Sequence, residues 1–265
     1  MKYAIAIWGF CWDTPELPGA MRGFAEYGFD TISFHPDQLL GASAEDKAAL
    51  TGVLEELDLA ATVHGSCKMG REAMESLVGL FGPRLAAFTM DAAKTKSSLG
   101  NTFDARQNAR ALRDIQELTD GMDTALAVED FPLDGAAWDF FREDLGDVYE
   151  HARTGILVDV GHLHIRLSTE YYAGKTVQDY FSDLPVSPVE LHLHDNDGVR
   201  DLHAPFGTGT LPFEEAASAV RSIGFDGIST VEVCPKLHGA EKEASKLLAR
   251  EALDSWRGYL ADAKP

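Results

Sequence analysis

The feature that most limits what this chain can fold into is a repeat of short, β-rich apolar runs. Each is followed by a segment whose apolar residues recur at helical spacing. Eight such runs occur, at 3–8, 31–34, 60–64, 85–90, 124–129, 155–160, 189–194 and 227–233. The helical segments include 18–27, 44–57, 105–118, 213–223 and a long one at 241–260. Continuous apolar runs of this length read as strands buried on both faces, the condition of a parallel sheet covered by helices. Helix-opening signals (Thr14-Pro15-Glu16, Ser43-Ala44-Glu45-Asp46) and closing glycines (Gly28, Gly224) punctuate the alternation. The runs start 25 to 39 residues apart, one βα unit each. Eight such units in about 250 residues make an α/β fold of the (β/α)8 TIM-barrel size. No linker or low-complexity tract interrupts 1–265, so a single domain is expected. An open doubly wound sheet is the competing fold. It seldom needs eight strands, and the first βα turn, Trp8-Gly9-Phe10-Cys11-Trp12, lacks the GxGxxG fingerprint.

Composition narrows the function classes. With 45% apolar and 25% charged residues the chain is an ordinary folded protein rather than a disordered one. No apolar run approaches the roughly 18–20 residues that span a bilayer, so no membrane partner is expected. The opening segment 1–13 carries aromatics and an Asp where a signal peptide needs small residues. Cys11, Cys67 and Cys234 are odd in number and far apart, which argues against disulfides and a Cys-based zinc site. A cytoplasmic location is the expectation. Acidic residues outnumber basic ones 43 to 23, for a net charge of −20, which repels phosphate backbones and disfavours nucleic acid as a partner.

In a barrel the reacting groups lie at the C-terminal ends of the strands. The third run ends in His64, the fifth in Glu129, and the sixth in Asp159 with His162 just beyond. The seventh carries His192 and His194, and the eighth ends in Glu232. His35 follows the second, and the fourth ends at Met90-Asp91. Carboxylates placed after apolar strands are costly to bury without compensation. Glu129, Asp159 and Glu232 converging on one mouth would repel each other, and a divalent cation is the simplest remedy. Three carboxylates and an imidazole form a mostly oxygen site suited to Mn²⁺, Mg²⁺, Co²⁺ or Zn²⁺. Taken singly, each residue has an ordinary explanation: a Glu caps a helix, a His sits satisfied in a core. Polar groups at five strand ends together do not. Strand alternation puts His192 and His194 on one face, so one can bind the cation while the other meets substrate.

Other features carry weaker readings. Trp8, Trp12, Phe34 and Phe206 are candidates for an apolar wall at the mouth, with plain packing equally weighted. The polar stretch 91–101, with Lys94 and Lys96, is a candidate lid, and Arg166 and Arg200 are candidate phosphate contacts. Met69, Met74 and Met90 read as packing, and the acidic stretch 143–150 with His151 as a solvated face.

One run is more specific than the rest. His192-Leu193-His194-Asp195-Asn196-Asp197-Gly198, then Asp201-Leu202-His203, Gly207-Thr208-Gly209, Gly224-Phe225-Asp226-Gly227 and Val231-Glu232, resembles the C-terminal third of the xylose-isomerase-like TIM barrels. These are the sugar-phosphate isomerase/epimerase group, which includes the endonuclease IV branch. Asp159-Val160-Gly161-His162 resembles the DxxH motif after the sixth strand. The resemblance implies metal ligation by Glu129, Asp159, His192 and Glu232. It also implies acid/base roles for Glu129 and Glu232, and contact of His162 with a substrate oxygen. In the endonuclease branch further metals are held by histidines on the third and fourth strands and by a DxH after the seventh. His64, Asp201 and His203 match, but Thr89-Met90-Asp91 stands where the fourth-strand His would be, so a complete three-zinc cluster is not expected. His64, His162, His194, Asp201 and His203 are thus substrate contacts or second-metal ligands. One divalent cation is expected, with a second allowed. Homo-oligomers are common in the resembled group.

The expected activity is isomerisation or epimerisation of a small sugar, sugar phosphate or polyol ketone. Carboxylates would move the proton through an enediolate that a cation stabilises. A sugar dehydratase of the inosose or dehydroshikimate kind would use the same intermediate. A metal-dependent phosphoester hydrolase of the endonuclease IV type is the main alternative, favoured by His64, Asp201 and His203 and opposed by the acidic charge. A non-enzymatic binding protein would have no reason to gather these acids.

Overall fold

The structure, a computed structural model, describes residues 1–97, 100–129, 153–168, 174–184 and 186–262. Its strands are β1 (Lys2–Ala6), β2 (Thr31–Phe34), β3 (Ala60–Ser66), β4 (Leu85–Asp91), β5 (Lys94–Ser97), β6 (Gly100–Phe103), β7 (Ala125–Glu129), β8 (Thr154–Asp159), β9 (Pro188–Leu193) and β10 (Ile228–Val231). All but β5 and β6 pair in parallel into a closed barrel of order β1-β10-β9-β8-β7-β4-β3-β2. The eight expected runs are its eight staves, and the fold is the (β/α)8 barrel.

Helices α1 (Leu17–Glu26), α2 (Pro36–Leu40), α3 (Ala44–Glu56), α4 (Arg71–Phe81), α5 (Ala105–Leu118), α6 (Val160–Leu167), α7 (Val177–Ser182), α8 (Phe213–Ser222) and α9 (Lys242–Asp262) accompany the barrel strands. The spacing of α9 shows how its sequence chooses a face. Ala249, Ala252, Leu253 and Trp256 fall at helical intervals and are at most 1% exposed. The Trp256 indole donates from Nε1 to Ser229 Oγ at 3.1 Å, so its one polar atom is satisfied against β10. Burying side chains of this size stabilises by roughly 1.5–3 kcal/mol each. The predicted helix starts are real caps. Ser43 Oγ accepts from Asp46 N at 3.1 Å, and Thr14-Pro15-Glu16 forms a 3-10 turn capped by Asp13 that runs into α1. Gly28 closes α1 at φ +93°, a conformation a side chain would strain.

Sequence periodicity misses one element. The candidate lid contains an antiparallel hairpin, β5–β6, directly after β4. Its strands, KTKS and GNTF, hold almost no apolar residue to alternate, so no period-two signal exists to read. Asn108 of α5 pins the hairpin base, accepting from Ala93 N at 2.6 Å and donating to Ala93 O at 3.3 Å. The stretch 143–150 and His151 lie outside the described residues.

The barrel interior is graded from one end to the other. Ala4, Ala87 and Ile228 form a small buried apolar cluster. Further along the same inward faces come the buried hydroxyls of Thr62, Thr89 and Thr230. Beyond them stand the charged groups at the strand C-termini. Among the described residues no helix is long and apolar enough to cross a membrane.

Candidate metal centre at the barrel mouth

Neighbouring staves deliver four groups to one place. Glu129 ends β7, Asp159 ends β8, His192 lies in β9 and Glu232 follows β10. They are 3%, 0%, 0% and 5% exposed, far too buried for three carboxylates left to repel each other. The register sets Asp159 beside His192 and His192 beside Thr230, two residues short of Glu232. Ligand atoms of Glu129, Asp159 and His192 lie within 4.8 Å of one another, as do those of Asp159, His194 and Glu232.

The contact geometry fits a shared cation better than a set of hydrogen bonds. His192 Nδ1 is 2.8 Å from Glu232 Oε2, yet neither atom has a properly aligned hydrogen-bond partner among the described residues. His194 Nε2 sits 3.1 Å from Asp159 Oδ1 and is likewise unaligned. Atoms this close without an aligned hydrogen bond leave their lone pairs for a shared cation. Spacings near 3 Å are the edges expected of a coordination shell with metal–ligand distances of about 2.0–2.2 Å. The donor set, carboxylate oxygens with imidazole nitrogen, suits a hard to borderline divalent ion.

Further groups extend the centre on both sides. His64, Asp91 and Glu129 form one cluster, with His64 Nε2 3.5 Å from both Asp91 Oδ1 and Glu129 Oε2. His162, His194, Asp201 and His203 form another. There Asp201 reaches His162 Nε2 at 3.1 Å and His203 Nε2 at 3.2 Å. Glu129, Asp159 and His194 each belong to two of these clusters, so the sites are chained through two carboxylates and an imidazole. Every site residue expected from the sequence therefore falls in this array. Asp91, which the sequence reading noted only as standing in for an absent histidine, joins it too. A search for histidine at that position passes over a carboxylate able to bind the same ion.

Three imidazoles are held in the orientation that a cation needs. Thr89 Oγ1 donates to the Val63 carbonyl at 3.5 Å, which leaves it to accept from His64 Nδ1 at 3.1 Å. His194 Nδ1 faces the Asp195 carbonyl at 3.3 Å and His203 Nδ1 the Glu232 carbonyl at 3.1 Å. A carbonyl only accepts, so Nδ1 carries the proton and Nε2 turns to the carboxylates. Fixing the tautomer through the second nitrogen is how metal-binding histidines are prepared.

The electrostatics show how strongly the groups are coupled without a cation. Burial disfavours the charge on Asp159, but the imidazoles of His162 and His194 hold its carboxyl well below the usual range. Burial likewise opposes the imidazolium of His192, yet Glu232 and Glu190 raise it well above the ordinary histidine value. His203, opposed by burial but facing Glu232 and Asp201, is pushed up to about 10. Burial raises Glu129, whereas His192 and His203 outweigh burial at Glu232 and bring it down to about 2. Lys94 is depressed by burial to about 8 despite Glu129 and Asp91 nearby.

The sequence motifs also serve as scaffolding. Asp159 caps α6, its Oδ1 accepting from His162 N at 2.7 Å, which explains the DxxH spacing. Asp195 accepts from the backbone N–H groups of Gly207 at 2.9 Å, Gly209 at 2.8 Å and Leu211 at 3.1 Å, folding the following loop over the mouth. Asn196 Nδ2 donates to Gly161 O at 2.8 Å. Gly161 itself has to be glycine, because a Cβ there would lie 2.2 Å from His194 Cε1. Gly161→Ala is expected to lower unfolding stability by about 1–3 kcal/mol and to push His194 off its position. Urea unfolding of the purified variant checks the first effect and cation titration the second.

Other candidates resolve differently. Trp8 stacks over His64 with ring centroids 5.8 Å apart and an interplanar angle of 16°, so it does border the centre. Trp12 stacks on Phe10, Phe34 on Phe81 and Phe206 on Phe213, all packing contacts rather than a wall for substrate. Arg166 is 1% exposed and donates to Tyr180 Oη at 3.3 Å, so it is not a surface phosphate contact. Arg200 is committed to Asp197, at 2.8 and 2.7 Å. The cysteines are all free thiols, and burial raises Cys234 to about 12.

Comparison with known proteins agrees with this architecture. Fructoselysine 3-epimerase of Shigella flexneri is 30% identical over 98 residues, which is 37% of this chain and 34% of that protein. The matched stretch thus spans about a third of that relative's length. Among solved structures, the IolI protein with a bound zinc atom superposes with a TM-score of 0.72 at 14% identity, covering 98% of this chain and 99% of that one. D-psicose 3-epimerase from Clostridium cellulolyticum H10, solved with D-tagatose, gives a TM-score of 0.66 at 16% identity over 98% and 99% of the two chains. Residues 95–257 match the family described as xylose isomerase-like TIM barrel. That stretch holds Glu129, Asp159, His192 and Glu232, and the chain belongs to the xylose isomerase-like TIM-barrel family.

Proposed function

We propose that this chain is a divalent-cation-dependent isomerase or epimerase acting on a small sugar, sugar phosphate or polyol ketone in the cytoplasm. One observation carries the reading. Glu129, Asp159, His192 and Glu232 converge, buried, from four consecutive staves at the strand C-termini. The partial match to a sugar 3-epimerase supports the same class. Glu129, Asp159, His192 and Glu232 would hold the cation. When bound, it supplies a Lewis acid for the oxygens of a hydroxy-ketone.

The protein's own groups do the rest. Moving a proton at a carbon beside a carbonyl requires a base on one face and an acid on the other. Glu129 and Glu232 come from β7 and β10, separated around the barrel by β8 and β9, so they approach a substrate from different sides. One removes the carbon-bound proton and the other returns it. His162, whose ring lies 2.9 Å from Glu129 and 3.1 Å from Asp201, would donate to a substrate oxygen. Trp8 limits water at the His64 side. Incubating the cation-loaded protein with ketoses, aldoses and inososes in D₂O is the direct test. Deuterium should enter at a carbon next to the carbonyl. Absence of exchange from every member of the panel would remove the reading.

A second reading, metal-dependent phosphoester hydrolysis, is favoured by the clusters of His64 with Asp91 and of Asp201 with His203 on either side of the centre. Two or more cations can activate water and hold a phosphate in line. Elemental analysis separates the two. One cation per chain is expected for the isomerase, and two or three would favour hydrolysis.

A further inference from the structure

Beneath the metal centre, inside the barrel, lies a carboxylate that no step so far requires. Glu190 is in β9, two residues before His192, and the strand's alternation turns both side chains inward. It is 0% exposed. Its Oε1 accepts a short hydrogen bond from Thr230 Oγ1 on the adjacent strand β10. Its Oε2 has no hydrogen-bond partner among the described residues. Leaving a carboxyl oxygen unsatisfied in a sealed interior is costly. Packing alone gives no return for that cost, since a Leu or Met would fill the space without it.

The neighbour that makes sense of Glu190 is His192. Its Nδ1 faces Glu232, while its Nε2 faces Glu190 Oε1 at 3.6 Å, an ion-pair distance rather than a formed hydrogen bond. For His64, His194 and His203 the nitrogen turned toward the carboxylates of the centre is Nε2, and an oxygen acceptor at Nδ1 fixes it. His192 presents the opposite nitrogen, Nδ1, so the acceptor has to stand at Nε2, deeper in the barrel. Backbone carbonyls there are committed to the strand ladder, and a side chain has to supply the oxygen.

We propose that Glu190 is a positioning residue for the cation site. It keeps the proton of His192 on Nε2, so that the Nδ1 lone pair is directed at the ion held with Glu129, Asp159 and Glu232. Thr230 in turn fixes the Glu190 carboxylate. The inference rests on the cation reading above and goes beyond it by assigning a supporting group outside the ligand set.

The experiment compares Co²⁺ binding by the full-length wild type, Glu190→Gln and Thr230→Val, using calorimetry and the visible Co²⁺ absorption. Glu190→Gln keeps the size and the oxygen that Thr230 meets, but its neutral amide is a weaker acceptor for Nε2–H. Its Kd is expected to rise about 10- to 100-fold, with a changed Co²⁺ band and no fall in the thermal midpoint of the chelated protein. Thr230→Val should shift Kd in the same direction by a smaller factor. A merely structural Glu190 would alter the midpoint and leave Kd and the spectrum alone. A folded Glu190→Gln with wild-type Kd overturns the proposal. If that variant does not fold, an unchanged Kd in Thr230→Val overturns it instead. A wild type that takes up no Co²⁺ would sink the cation reading itself, an outcome distinct from either.

Discussion

Glu129→Gln and Glu232→Gln are each expected to cut turnover by about 10³-fold or more while leaving the barrel folded. Glutamine matches glutamate in size, and both positions are buried at the strand ends rather than within the apolar core, so the packing has little to lose. What disappears is a group able to take a carbon-bound proton, together with one negative charge facing the cation. The two losses act on the same step and compound. The pair also makes a finer prediction. If the carboxylates serve opposite faces of the reacting carbon, each single variant should retain slow deuterium exchange with one epimer only, the one whose proton faces the surviving carboxylate. Turnover on the active substrate, exchange followed by NMR and circular dichroism together test this. Near-normal activity in either folded variant would show that the role is misassigned, whatever the fate of the cation.

How much of this was legible beforehand depended on which physical signal each residue leaves in the sequence. The staves were readable because buried parallel strands need continuous apolar runs, and all eight appear with ends shifted by at most two residues. The clustered acids were readable for a related reason: Asp159 or Glu232 directly after such a run contradicts its surroundings, and that contradiction marks a candidate site. The β5–β6 hairpin was not readable, because KTKS and GNTF hold almost no apolar residue to alternate. Asp91 lay in plain view, yet its role depends on standing 3.5 Å from His64 on the neighbouring strand, a register that no local pattern reports. Asp195 and Asn196 stood inside the motif, but their work is to fold the loop and hold Gly161, which only the hydrogen bonds reveal. Phe34 and Phe206 show the converse limit. An aromatic near a strand end packs against a helix as readily as it borders a mouth.

Stripping the cation should make stability fall with rising pH where the loaded protein stays level, and this is the strongest test of the centre that needs no substrate. In the cation-free protein His162 and His192 are held well above the ordinary histidine value and His203 near 10. Groups raised in the folded state stabilise it fully below their unfolded pKa of about 6.5. That contribution is lost as pH rises through the folded values, so chelated protein should weaken from neutral toward pH 10. A cation needs the unprotonated imidazoles and has to expel these protons, and its affinity should therefore climb with pH, roughly tenfold per displaced proton per unit. Loaded protein should accordingly hold its stability over the same range, the rising affinity offsetting what the chelated protein loses. At free Mn²⁺ a thousandfold above Kd the gain is about 4 kcal/mol, or roughly 8–16 °C in thermal midpoint for a chain of this size. Calorimetric scans from pH 6 to 9, with chelator and with Mn²⁺, read both slopes. Parallel curves with no cation-dependent gap would mean that Asp159, His192 and Glu232 crowd together for some reason other than a metal.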